Sequence, residues 1–147
     1  MFRRLLVPVD GAELSAGAID RSVALARQLG AAIIGFVVEP PTPFPSESES
    51  TSASARAASV EEQRTDEHAR ALLGRFEKHA LQASVAFEGH STHAQDIARA
   101  IIDAAAQHHC DMIVMVTHGR GRLSKLMHGS NTQAVLAGST VALLVLH

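Results

Sequence analysis

The sequence predicts an α/β fold: one domain, residues 1–147, built as an open, doubly wound sheet of five parallel strands with helices on both faces. Three observations lead there. Short unbroken apolar runs at 5–9, 31–38 and 112–116 have the character of strands buried on both faces of a parallel sheet. Stretches with helical spacing lie between such runs. Strand and helix then alternate along the whole chain, whose length suits a single domain.

Taken in order, 5–9 is a strand ended by Asp10-Gly11. Leu14, Ala18, Leu25 and Leu29 follow on one helical stripe, with Ile19, Val23 and Ala26 beside it. Gly30 is free to take the left-handed conformation that stops a helix. The run 31–38 is a second strand, parallel to the first because a helix crosses over between them. Four prolines (Pro40, Pro41, Pro43, Pro45) and a serine-glutamate tract come next, so about 40–58 is expected to be a mobile surface loop. Ala69, Leu72, Leu73, Phe76 and Ala80 restore helical spacing. Residues 82–88 alternate, as in a half-exposed edge strand, and Gly89-His90-Ser91 is expected to turn. Thr92 and Gln95 have capping-box spacing ahead of a helix that buries Ile97, Ile101, Ala104 and Ala105. A strand at 112–116, a helix over 132–137 and a strand from Val141 to Leu146 close the chain.

Composition excludes several classes. Net charge is only -2 with histidines neutral, against a general nucleic-acid or anionic-membrane binder. The single cysteine, Cys110, rules out an intrachain disulfide framework and fits a reducing cytoplasm. No apolar run reaches the ~20 residues of a membrane span, and the first run stops at Val9, short of a secretory signal. The cytoplasm is therefore the expected location.

The chemistry concentrates after the fourth strand. Gly119 and Gly121 let backbone amides come close to a ligand, and His118, Arg120, Arg122, Lys125 and His128 make the loop basic. Gly129-Ser130-Asn131-Thr132 opens a helix, whose N-terminal dipole end favours an anion. Asp10 follows strand one, so it lies at the same sheet edge. It either caps the first helix or meets a ligand, and the two roles are compatible. Neither a Walker A pattern nor a complete GxGxxG passes through these glycines. His108-His109-Cys110-Asp111 lacks the spacing of a metal site, so no metal ligands are assigned. No Ser-His-Asp or Cys-His constellation has supporting context, and no catalytic residue is assigned.

Four segments carry a family resemblance: LLVPVDGAELS at the start, FVVEP, DMIVMVTHGRGRLSKLMHGS and the closing VALLVL. Over essentially its whole length the chain resembles the universal stress protein family. The resemblance implies a Rossmann-like, adenine nucleotide alpha hydrolase-like fold, dimerisation through the last strand (141–146), and ATP binding in one branch of the family. That branch carries G-x2-G-x9-G-[ST]. Gly119, Gly129 and Ser130 match its second half, whereas Val116 stands where its first glycine would be. A second departure is Ala142, where a proline often precedes the final strand. By resemblance, Asp10 lies near adenine and ribose, Val9 and Val37 flank the adenine, and Gly129, Ser130 and Thr132 hold phosphates. Met115, Val116, Gly119, Arg120 and Asn131 complete the implied nucleotide set. The expected function is that of a dimeric stress-response switch binding ATP or AMP, with magnesium accompanying ATP. Two alternatives stay open: a nucleotide-free dimeric interaction protein and a very slow ATPase.

Overall fold

The computed structural model describes residues 1–9, 16–41, 52–116 and 129–146. Five strands alternate with four helices: β1 (Arg4–Val9), α1 (Ala16–Leu29), β2 (Ala32–Glu39), α2 (Ser52–Gln82), β3 (Phe87–His93), α3 (Ile97–Gln107), β4 (Met112–Val116), α4 (Gly129–Gly138) and β5 (Ala142–Leu146). All the pairings are parallel, and the strands lie in the order β3-β2-β1-β4-β5. The doubly wound α/β fold that the alternation predicts is therefore the fold observed.

Alternation along each strand divides the core in two. Leu5, Val7 and Val9 of β1 join Ile33 and Val37 of β2 and Val114 of β4 under α1 and α2. Leu6, Ile34, Phe36, Ile113 and Met115 face the other way, under α3 and α4. Asp111 ties the two central strands together at their amino ends. Its carboxylate accepts from the backbone N–H groups of Arg3 (2.7 Å) and Arg4 (3.2 Å), and its own N–H donates to the Arg4 carbonyl.

The helices fit their sequences with one adjustment. α1 buries Ala18, Ile19, Ser22, Val23 and Ala26, while Leu29 is exposed, so the stripe centres one position away from the expected line. The buried Ser22 hydroxyl is satisfied because its Oγ donates to the Ala18 carbonyl at 3.0 Å. Gly30 does end α1, at φ +63°. α2 buries Ala69, Leu72, Phe76 and Ala80 as its spacing predicts.

Three expectations need correction. Residues 52–58, read as part of a loop, are the first turns of α2. Nothing from Ser52 to His68 is fully buried, so the periodic signal is missing. The helix is instead favoured by its Ala, Glu, Gln and Arg content. Pro40 and Pro41 are irregular and exposed, and the rest of that loop, 42–51, lies outside the described residues.

The second correction concerns β3, which occupies 87–93 and not 82–88. Ala83 and Val85 alternate because they pack back onto the α1–α2 core as the chain leaves α2. Ser84 there takes φ +59°, and the Val85 N–H donates to the Ala80 carbonyl. The expected turn at 89–91 is inside the strand, which lies at the sheet edge, although the alternation that suggested an edge strand belongs to 82–88 and not to the strand itself. Thirdly, α3 is capped by Asp96, whose side chain accepts from the Arg99 N–H at 2.9 Å. Thr92 belongs to β3, so no capping box forms there.

Candidate nucleotide site and a second polar cluster

In a doubly wound sheet, ligands bind beyond the carboxyl ends of the strands, where the strand order reverses. Here that point falls between β1 and β4: the chain runs outward from β1 through β2 to β3, and β4 and β5 lie on the other side. Val9 ends β1 and Val116 ends β4. α4 connects two parallel strands, so its first turn, Gly129 to Thr132, returns to this same edge.

The predicted residues are partly brought together. Val9 and Val37 are direct neighbours across β1 and β2, on the α1–α2 face, and both are core residues at 4% and 0% exposure. Val116 is half-buried on that face, packed against the same cluster. Met115 belongs to the opposite face, so the sheet separates it from Val9 and Val37. On α4, Ser130 is exposed and Asn131 and Thr132 are half-buried. Asp10, Gly119 and Arg120 lie outside the described residues, as do His118, Gly121, Arg122, Lys125 and His128.

The carboxyl edge also holds a histidine that spacing assigned to the helix entry. His93 ends β3; its Nδ1–H donates to the Pro40 carbonyl at 3.1 Å, and Nε2 lies 2.9 Å from Asp66 Oδ1 on α2. The Pro40 carbonyl, then Asp66, hold its pKa above the ordinary imidazole value.

A second cluster forms toward the amino ends of the strands. Glu88 and His90 are two apart on β3 and so share the face of Ile34 and Phe36, their partners on β2. His108 caps the carboxyl end of α3. The His90 and His108 rings stack with centroids 4.0 Å apart. His90 Nε2 lies 2.8 Å from Glu88 Oε1, and Arg4 Nη2 approaches Oε2 at 3.5 Å. The hydrogen bond from His90 lowers the Glu88 pKa, and burial followed by the charge of His90 lowers that of His108.

Sequence reasoning missed this grouping because it placed His90 in a turn. With the strand register known, the period of two in Glu88-Gly89-His90 would have found it. Of the quartet 108–111, His108 alone joins the cluster. Cys110 is buried, and burial pushes its thiol up to about 11, as for a small core residue rather than a reactive thiol.

A five-stranded, doubly wound parallel sheet whose strand order reverses between β1 and β4 defines a Rossmann-like α/β fold. The family model of the universal stress protein family matches residues 1–147, and the chain belongs to that family. Solved structures agree on the fold. A universal stress family protein from Burkholderia pseudomallei superposes with a TM-score of 0.74 at 18% identity, covering 99% of this chain and 96% of that one. A universal stress protein in complex with cAMP gives 0.67 at 18% identity, covering 99% and 97%. The Archaeoglobus fulgidus protein in complex with dAMP gives 0.59 at 16% identity, covering 99% and 98%. No curated protein matches the chain significantly in sequence. Among the described residues, no helix is long and apolar enough to cross a membrane.

Proposed function

We propose that the protein binds an adenine nucleotide, ATP or AMP, at the carboxyl edge between β1 and β4 and acts as a dimeric conformational switch in a cytoplasmic stress response. The observation that carries the reading is the return of the α4 N-terminus to the edge where the strand order reverses. The solved relatives in complex with cAMP and dAMP support the same ligand class. Val116, which stands where the first glycine of the nucleotide-binding branch would be, packs on the same face as Val9 and Val37 and favours the second reading below. In this reading Gly129, Ser130 and Thr132 hold phosphates, Asp10 meets the ribose, and magnesium accompanies ATP. The switch requires nucleotide to bind one arrangement of the 117–130 loop more tightly than another.

A nucleotide-free interaction protein is the second reading, favoured by the burial of Val9 and Val37, which leaves little exposed surface for an adenine ring. In both readings β5, the strand at the sheet edge, forms the dimer seam.

Calorimetric titration of nucleotide-stripped protein with ATP and AMP, with and without magnesium, decides between them. Saturable micromolar binding, roughly -8 kcal/mol, that is lost in Gly129→Val supports the nucleotide reading. No heat and no thermal shift up to millimolar nucleotide leaves the interaction protein.

A further inference from the structure

We propose that Glu88, His90 and His108 form a binding site for a late first-row divalent cation, zinc being the representative, which clips the edge strand β3 to the end of α3. One ligand atom from each residue lies within 4.8 Å of the other two. Two imidazoles and one carboxylate are the donor set that suits zinc and its neighbours, whereas magnesium and calcium prefer oxygen alone. Three protein ligands leave a fourth tetrahedral position for water, and the partial exposure of all three side chains gives the ion a way in.

The backbone fixes where the three side chains start. Glu88 and His90 lie on one face of β3, held by pairing with Ile34 and Phe36. His108 is fixed by the end of α3: its N–H donates to the Ala104 carbonyl, and the next two N–H groups bond Ala106 and Ala105 as His109 turns through φ +53°. Donors around a tetrahedral zinc, with bonds of 2.0–2.2 Å, lie about 3.4 Å apart. Contracting the cluster to that size requires the His90 and His108 rings, stacked with centroids 4.0 Å apart, to turn until their ring nitrogens converge. The His90 ring must leave its hydrogen bond to Glu88 Oε1, freeing that oxygen and a ring nitrogen for the ion. Arg4 stays on the other carboxylate oxygen, where it orients Glu88 but opposes a second cation.

The clip has a structural use. Among the described residues β3 pairs with β2 alone, and no residue of β3 is fully buried, so little side-chain burial holds its central part. The ion would link it to a helix packed on β1 and β2. The cluster sits toward the amino ends of the strands, away from the nucleotide edge, so the proposal does not depend on nucleotide binding.

The test uses the untagged full chain, freed of metal with a chelator and titrated with zinc chloride against a chromogenic competitor. One zinc per chain at micromolar Kd is expected, with a thermal upshift and no comparable binding of magnesium. His108→Gln, His90→Gln and Glu88→Gln should each weaken zinc at least tenfold and abolish the upshift. Their metal-free melting curves and circular dichroism should stay near wild type, which separates ligand loss from misfolding. His109→Gln and His68→Gln, exposed histidines outside the cluster, should bind as wild type does. Absence of zinc binding up to millimolar concentration overturns the proposal. So does zinc binding that survives both His90→Gln and His108→Gln, or magnesium binding of equal strength.

Discussion

The Phe87 ring lies across Gly35: a Cβ built on Gly35 would sit 2.6 Å from Phe87 Cζ and 3.2 Å from Leu73 Cδ2. Phe87 in turn tilts against Phe76 of α2, with ring centroids 5.0 Å apart. The missing side chain on β2 therefore makes room for the aromatic that anchors the start of the edge strand. Gly35→Ala should overpack this contact and cost about 1–3 kcal/mol, read as a lower midpoint in urea. The double variant Gly35→Ala/Phe87→Leu should cost less than the sum of the singles. Strict additivity would mean that the two residues do not share the space.

Asp96, and not the Thr92–Gln95 spacing, caps α3. Asp96→Ala removes the acceptor for the Arg99 N–H and should cost about 1 kcal/mol, seen as a drop in Tm. Gln95→Ala, at an exposed position, should leave Tm within error. The opposite pattern would restore the capping box.

His93 makes stability depend on pH. A carbonyl can only accept, so Nδ1 carries the proton given to Pro40, and only the doubly protonated ring can also donate to Asp66. Its folded-state pKa is raised, by the Pro40 carbonyl first and Asp66 next. The stabilisation is thus complete below the unfolded value of about 6.5 and is lost as pH rises through the folded one. Unfolding free energies measured from pH 5.5 to 8.5 should fall across this window, and His93→Gln should flatten the slope. Asp66→Asn should lower the His93 pKa, followed by NMR of the imidazole protons. An unchanged pKa in that variant would remove Asp66 from the account.

Val145 tests the dimer seam. It is half-exposed on the edge strand β5, beside Met115 of β4. Val145→Glu should halve the mass seen by light scattering while preserving the circular dichroism spectrum. An unchanged dimer mass moves the seam elsewhere, and a wild-type monomer removes the dimer from the proposed function.

The sequence alone determined the order of strands and helices, the parallel sheet, the limits of β4 and the stop at Gly30. These are legible because buried segments write their burial into the chain: continuous apolar runs for two-sided strands, spacings of three and four for one-sided helices. Tertiary structure decided the rest. The first turns of α2 bury almost nothing, so they carry no periodic mark. Beyond Phe87, β3 is held mainly by backbone pairing to β2, a force with no side-chain signature, while Ala83 and Val85 mimic a strand by packing under α1 and α2. Placing Met115 on the face opposite Val9 and Val37 likewise needed the observed pleat and pairing. The meeting of Glu88 and His90 with His108 depends on β3 lying beside β2 and on α3 ending over that pair, a relation between segments about twenty residues apart in the chain. Local pattern records what each segment buries; which segments meet is decided by the order of strands in the sheet.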